Sequence, residues 1–196
     1  DKKPDYIFLP HILEMNYPLE DWYKRTCVFT QAESYYLKNA FKETVLPPIL
    51  NPAINFAGSK KQLLKSFIGI ARQLGKNKAQ ARAAFAFAWK QQEAMLEEFK
   101  SLGKKALSKL EKDKSKIGMV LFGRAYNAFV EEANLGIPKK FASQGILLIP
   151  HDFLPSDHLP SYDRMYWYSG QQILRTARLV KNHPQLFGTF ITNFSC

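Results

Sequence analysis

The chain has 196 residues, of which 46% are hydrophobic and 14% aromatic, and its formal net charge is +11. That is enough material for one sizeable core but crowded for two domains, so we expect a single α/β domain over residues 1–196. No apolar run approaches the ~20 residues that cross a bilayer, and the start lacks a signal-peptide core, which predicts a cytoplasmic protein without a membrane partner. Because the chain begins without Met and stops just after a strand-like run, we expect it to be a fragment of a longer chain.

The N-terminal quarter predicts two strands and a helix. Residues 5–10 form an apolar run typical of a buried strand, followed by a loop that carries His11. The polar, proline-interrupted segment 17–26 is typical of a loop. Helical spacing of apolar residues predicts a helix over 33–42, and the prolines of Val45–Leu50 place a second strand at an edge.

Proline is missing from residues 53–137, and we expect most of this stretch to be helical. Ser59 predicts the N-cap of a first helix. A second helix over 78–110 would be about 50 Å long unless Gly103 bends it. Because this exceeds an ordinary crossover helix, we expect a long helical elaboration of the sheet at about 59–112.

The same region is strongly basic. No acidic residue occurs between Glu43 and Glu93. The basic residues in this interval are Lys60, Lys61, Lys65, Arg72, Lys76, Lys78, Arg82 and Lys90. A one-signed surface attracts anions, so a phosphate-bearing ligand such as a CoA tail competes with a solvated face or an acidic neighbour in the parent chain. No nucleic-acid-binding module is recognised, and nucleic acid is not an expected partner.

Residues 117–153 predict a β-α-β unit. Ile117–Phe122 and Ile146–Pro150 are short apolar runs typical of buried strands, and Gly145 suits the C-terminus of the helix between them. Such connections build parallel sheets, and ligands gather at the carboxyl ends of the strands. We therefore place the working face at residues 123–134 and 151–153.

A helix over 166–180 and a last strand over 188–194 complete the pattern. Five strands in β-α order predict a flavodoxin-like, doubly wound, mostly parallel sheet. The residues expected at its carboxyl edge are Cys27, Gly123, Asp152 and Cys196.

The segments after the third and fourth strands carry the candidate ligand-binding residues. They are Gly123, Arg124, Tyr126, Asn127, Asn134 and Asp152. Polar groups at a strand end beside a helix N-terminus suit a carboxylate, phosphate or pyrophosphate. The alternative is that Arg124 pairs with Asp152 while Asn127 caps the next helix. The turn lacks the spaced glycines of a nucleotide-binding fingerprint, so no ATP site is expected here.

No catalytic residue is predicted. The histidines His11, His151 and His158 are interpreted as ordinary loop residues, because no serine or carboxylate is paired with them in an evident arrangement. Whether the chain is an enzyme is therefore left open.

The two cysteines, Cys27 and Cys196, are too few for a disulfide framework and lack a local metal-binding spacing, so each alone is interpreted as a buried thiol. Cys27 would lie near a helix N-terminus, which lowers the pKa of a thiol and favours thiolate ligation. Both cysteines follow strands and can reach one edge of the sheet. Two thiolates cannot complete a four-iron cluster, which takes about four ligands.

Five motifs carry a family resemblance. They are Gly-Arg-Ala-Tyr-Asn at 123–127, Asn-Leu-Gly-Ile-Pro-Lys-Lys at 134–140, His-Asp-Phe-Leu-Pro at 151–155, Met-Tyr-Trp at 165–167 and Thr-Asn-Phe-Ser-Cys at 192–196. In this order they resemble activase-related proteins of the 2-hydroxyacyl-CoA dehydratase system, over nearly the whole chain. Those proteins are often large bacterial chains described as activators of (R)-2-hydroxyglutaryl-CoA dehydratase.

The resemblance implies a parent chain related to ATPases and reductive activases. ATP would bind to modules N-terminal to this region, and the partners would be those other domains and a dehydratase-type protein. Cys27 and Cys196 would be ligand candidates for a [4Fe-4S] cluster in the full-length protein. Val28 and Phe29 stand where the family usually has Pro-Tyr, and further ligands lie elsewhere, so we expect no cluster in this fragment alone.

The implied function is a part in ATP-driven electron transfer through that iron–sulfur centre. Two alternatives are a non-redox binding module for CoA or nucleotide phosphates and a structural docking domain for the ATPase modules.

Overall fold

The computed structural model describes residues 3–16 and 24–192. The chain divides into two compact units, one formed by residues 1–91 and 166–168 and the other by residues 92–165 and 169–196. This division does not test the single domain expected from the sequence, which stays a prediction. Within the described ranges, no helix is both long and apolar enough to cross a membrane.

The first unit contains two short parallel strand pairs. Strand β1 pairs with β3, and β2 pairs with β4. The strands are β1 (Ile7–Phe8), β2 (His11–Glu14), β3 (Ile49–Leu50) and β4 (Ala53–Asn55). His11, which the sequence placed in a loop, is the first residue of β2, so that prediction is wrong.

The two pairs form one parallel ribbon with a break in its middle. Ile7 lies opposite Ile49 and His11 opposite Ala53 in the same register. Pro10 and Pro52 fall in the interruption, where a proline has no N–H to donate to the ladder. The strands on either side are too short to produce a clear alternation in the sequence, which is why β2 and β4 were not predicted.

Two helices and the start of a third complete this unit. They are α1 (Val28–Ala40), α2 (Lys60–Gln73) and α3 (Lys78–Lys112). Ser59 caps α2 through a reciprocal capping box with Gln62, as its position predicted. The helices α2 and α3 show that most of this stretch is helical, as predicted. The core consists of Leu50, Ile54, Leu63 and Ile70, with Phe56, Phe67, Phe85 and Trp89 packed against it.

The second unit is built on a three-stranded parallel sheet with the order β6-β5-β7. Its strands are β5 (Gly118–Phe122), β6 (Leu147–Pro150) and β7 (Leu186–Phe190). Its helices after α3 are α4 (Ala125–Ala128), α5 (Glu131–Asn134), α6 (Ile137–Ser143) and α7 (Tyr168–Lys181). The parallel β-α-β unit is confirmed.

The class is therefore α/β with parallel strands, as predicted. A five-stranded flavodoxin-like sheet is not confirmed, because the described strands lie in three separate sheets. The second unit does reproduce one feature of that fold. The first strand is central, the second lies on one side and the third on the other, which is the order of the first three strands in a flavodoxin-like sheet.

Buried apolar residues hold α3 and α7 against the sheet of the second unit. The fully buried members are Leu110, Val120, Phe122, Ile149, Leu154, Val180 and Leu186. Gln185 fixes the turn from α3 into β5, because its Nε2 donates to the carbonyl oxygens of Leu110, Asp113 and Lys116 at 2.9–3.0 Å. Because the amide nitrogen carries only two hydrogens, the three carbonyls share them, and together they tie the C-terminus of α3 to the turn before β5.

Helix α3 continues through Gly103 instead of ending there. A Cβ at this position would lie 1.9 Å from the carbonyl oxygen of Phe153. The ring of Phe153 stacks on that of Phe99, with 4.4 Å between their centroids. Gly103 therefore allows the 3-10 turn His151–Phe153 to rest directly on the helix.

We expect Gly103→Ala to lower the free energy of unfolding by about 1–3 kcal/mol, because the added methyl overlaps backbone that must shift. The matched control is Gly69→Ala in α2, where a Cβ meets nothing within 4 Å. That variant should gain about 0.5–1 kcal/mol from helix propensity. Chemical denaturation measures both, and a Gly103→Ala variant as stable as Gly69→Ala would contradict the contact.

Candidate functional site

The strand order of the second unit creates a crevice at its carboxyl edge. From β5 the chain crosses to β6 on one side, and it then returns past β5 to reach β7 on the other side. The direction of winding thus reverses at β5. In open α/β sheets, ligands bind outside the carboxyl ends of the strands at such a reversal.

Gly123 leaves β5 with a positive φ of 146°. A Cβ there would lie 2.3 Å from the carbonyl oxygen of Ile191, just after β7, and 3.0 Å from Cβ of Ala128. Only glycine fits this approach of the two strand ends. The main chain is further held by the 2.9 Å bond from Ile191 N–H to the Phe122 carbonyl.

The segment after Gly123 is held by a buried asparagine. Asn134 donates through Nδ2 to the Ala128 carbonyl, and its Oδ1 accepts from Gly136 N–H, both at 2.9 Å. Leu135 and Gly136 then turn the chain with φ values of 53° and 69°. These bonds give Asn134 a positioning role. The predicted contact between Asn134 and a ligand stays a prediction.

His151 starts the turn after β6 and is only 6% exposed. Its ring is stacked near those of Phe122 and Phe129, with centroids 5.8 and 6.2 Å away. Burial lowers the pKa of His151 from its ordinary 6.5, against the opposing effects of Asp152 and of the Leu121 backbone. The imidazole is therefore neutral at pH 7.

Two buried polar atoms at this edge have no hydrogen-bond partner within the described part of the chain. They are Nδ2 of Asn127, which is 3% exposed, and Nδ1 of His151. The third such atom, Oγ of Ser34, lies in the other unit. An unpaired buried polar atom is costly, and such atoms in native proteins commonly mark a functional group or a missing partner.

The remaining predicted residues lie in the segments that follow β5 and β6. Arg124 is half-buried at the N-cap of α4, while Tyr126 and Asp152 are exposed. Partial desolvation raises the pKa of the Asp152 carboxyl, although solvent around the exposed residue limits this effect. Protonation of the neighbouring His151 would oppose it. Helix α4 has four residues and is too short to supply the helix N-terminal anion site that the sequence suggested.

One alternative from the sequence is wrong. Asn127 lies inside α4, and the N-cap of the next helix is Val130, so Asn127 caps neither helix. The structure adds Phe122 to the site, and it gives a role to Phe129 and His151, which lie within the predicted working face but were not singled out there. Nothing in the sequence distinguished these from core or loop residues, because only the fold stacks them.

The structure describes the position of only one of the two cysteines. Cys27 occupies the N-cap of α1 and is half-buried, which confirms its predicted place at a helix N-terminus. It belongs to the first unit, whereas Gly123 and Asp152 belong to the second. Cys196 lies outside the described residues, so its meeting with Cys27 stays a prediction.

The basic residues between Lys60 and Lys90 are all exposed. Lys60 Nζ lies 4.5 Å from the centroid of the Trp89 ring, a cation–π contact that holds one of them against the helix pair. Among the described residues, none of the eight takes part in an ion pair. Their charge is therefore available to an anionic surface or ligand.

A family model described as the CoA enzyme activase uncharacterised domain matches residues 1–154. The chain belongs to this family. The matched region includes β5, β6 and the loops that carry Gly123, Asn127 and His151. Searches of curated proteins and of solved structures found no match. Membership of the activase family confirms the resemblance and supports an activator-related role.

The buried His151 predicts a pH dependence of stability. Because its pKa is lowered in the folded state, the unfolded chain binds the proton more readily, and the free energy of unfolding decreases as the pH falls below 6.5. Above that value the contribution is fully present. Denaturation across this range should show the decrease in the wild type and a weaker one in His151→Phe.

The control is His158→Phe, at an exposed position, which should keep the wild-type decrease. Asp152 acts in the opposite sense at more acidic pH because its pKa is raised, so the comparison is repeated in Asp152→Asn. An undiminished pH dependence in His151→Phe would show that another group is responsible.

Proposed function

We propose that this chain is a ligand-binding module of a CoA enzyme activase. The ligand is a small molecule that carries phosphate or carboxylate groups, of the CoA or nucleotide-phosphate class, and it binds at the carboxyl ends of β5 and β6. The observation that carries the proposal is the pair of unpartnered buried atoms, Asn127 Nδ2 and His151 Nδ1, in adjacent loops at the reversal of the sheet.

Each polar residue of the site would make a different kind of interaction with the ligand. Asn127 Nδ2 can only donate, so it suits a ligand oxygen. Neutral His151 offers Nδ1 as a donor or an acceptor, according to its tautomer. Arg124 adds a guanidinium whose fork matches phosphate or carboxylate oxygens. Asn127 and His151 are buried, which strengthens a hydrogen bond that either of them makes to a ligand.

In the longer protein, ligand binding at this site would couple the activase to the presence of its substrate or nucleotide. By the family resemblance, ATP is bound by other domains and the partner enzyme is a dehydratase-type protein. The coupling of ATP hydrolysis to low-potential electron transfer would take place in that assembly.

Isothermal titration of the chain with CoA and with ATP, at low and high salt, tests the module. We expect binding that Asn127→Ala and His151→Phe each weaken by about tenfold, since a hydrogen bond to a charged group contributes about 1.5–3 kcal/mol. The matched control, Asn182→Ala, changes an exposed asparagine after α7 and should leave affinity unchanged.

Two outcomes would contradict the proposal. Absence of binding at low salt would favour a structural docking role. The second is binding that high salt abolishes and that is unchanged in Asn127→Ala and His151→Phe. This result would assign the ligand to the basic residues Lys60–Lys90 instead.

A second candidate function is electron transfer through an iron–sulfur cluster. The observation in its favour is the position of Cys27 at the N-cap of a 13-residue helix, where a thiolate is stabilised. The described residues do not fit a [4Fe-4S] cluster by themselves: they contain no group of three His, Cys, Asp or Glu that could hold a metal, and such a cluster takes about four ligands. Cys196 and residues of a longer protein would have to complete it.

Anaerobic reconstitution of the full-length protein tests this candidate. If Cys27 and Cys196 are thiolate ligands of one cluster, Cys27→Ala and Cys196→Ala should each lose iron and charge-transfer absorbance, while the 196-residue chain alone stays metal-free. If both variants retain the iron of the parent, the cysteines are ordinary thiols and this candidate fails.

A further inference from the structure

A cavity lies in the second unit, along strand β6. It has a volume of about 520 Å³ and runs between the C-terminal half of α3 and strand β6. This volume falls within the ~300–1,000 Å³ that is typical of small-molecule sites. It is lined mainly by apolar side chains. They include Leu102, Ala106, Leu147, Leu148, Ile149 and Phe153.

The polar lining of this cavity has one sign of charge. Lys105, Lys109 and Lys112 lie on α3 at a spacing of four and three residues, which places them on one face of the helix. Ser108 adds a hydroxyl, and no carboxylate from residues 3–16 or 24–192 contributes to the lining. The cavity thus combines an apolar floor with a cationic rim.

The end wall of the cavity is held rigidly. Phe153 stacks on Phe99, so its ring cannot swing into the space without losing that contact, and its backbone is held where the carbonyl rests on Gly103. A preformed apolar cavity avoids the cost of ordering its walls when a ligand binds.

The edge of β6 argues against a peptide as the occupant. This strand has four residues and ends in Pro150, which has no N–H to offer to an added strand. Short edge strands, nearby lysines and proline are features that discourage strand addition. An aliphatic chain needs no backbone hydrogen bonds and matches the apolar floor better.

We propose that this cavity binds a small amphiphile with an aliphatic body and an anionic head, the body lying between α3 and β6 and the head near Lys105 and Lys109. This site is separate from the one under Asn127 and His151. A free carboxylate or an acyl chain on a larger anionic carrier shares the required chemistry.

The test is a titration of the 196-residue chain with decanoate, followed by isothermal calorimetry and by amide chemical shifts. We expect decanoate to bind and decyltrimethylammonium, which has the same chain and the opposite charge, to bind at least about tenfold more weakly. Lys105→Glu with Lys109→Glu should weaken decanoate binding by a similar factor. Lys104→Glu, on the same helix but outside the lining, should not.

Filling the cavity with Ala106→Phe should abolish decanoate binding and leave the affinity measured for CoA unchanged. Since that residue is half-buried, the double lysine variant at exposed positions keeps the test independent of folding. Equal binding of both head groups, or full binding by the double lysine variant, would overturn the proposal. Shifts confined to residues outside Leu102–Lys112 and Leu147–Phe153 would do the same.

If the amphiphiles fail and an acidic extended peptide binds in a manner sensitive to Lys109→Glu, the cavity is a protein-docking groove and the small-molecule assignment is wrong. Binding of the two amphiphiles is scored independently of CoA binding, so failure here leaves the function proposed above unaffected.

Discussion

The contact between Gly103 and the 151–153 turn positions the functional features of the second unit. Because Gly103 has no side chain, the turn after β6 rests directly on α3. The side chains of the three residues in this turn are therefore held in fixed positions. His151 enters the aromatic surroundings of Phe122 and Phe129, while Phe153 closes the cavity beside β6. A shift of this turn would disturb both places together.

Burial determines the protonation state and the hydrogen bonding of the polar groups in the crevice. A histidine in solution would titrate near neutral pH, but here the imidazole is kept neutral by its apolar neighbours. Among the residues that the structure describes, Asn127 Nδ2 and His151 Nδ1 have no hydrogen-bond partner. A fold maintains such costly groups where something outside the chain satisfies them, which is the physical basis for a binding role in the activase.

The sequence predicted the elements with strong local signals. The capping box at Ser59, the long helix through Gly103, the β-α-β unit and the place of Cys27 at a helix N-terminus all depend on neighbouring residues, and all are confirmed. The sequence did not predict β2 and β4, because Pro10 and Pro52 interrupt the strands. The segments on either side are too short to show the alternation of apolar and polar residues that marks a strand. Family membership followed from ordered motifs instead of any single element.

The candidate site was predicted less completely. Strand ends and the polar residues after them can be recognised in a sequence, so Gly123, Asn127 and Asp152 were found. Asn134 ties α4 to the next turn through Ala128 and Gly136, which are near it in the chain, but the sequence assigned it to a ligand. The stacking around His151 depends on packing between residues far apart in the chain. No local pattern encodes such contacts.

The central claim is that a ligand completes the unpartnered groups at the carboxyl edge of β5 and β6. A high-resolution crystal structure of the protein grown with CoA tests it most directly. We expect ligand oxygen or nitrogen atoms within hydrogen-bonding distance of Asn127 Nδ2 and His151 Nδ1. CoA bound only along the Lys60–Lys90 surface, with both atoms hydrogen-bonded to protein groups, would contradict it.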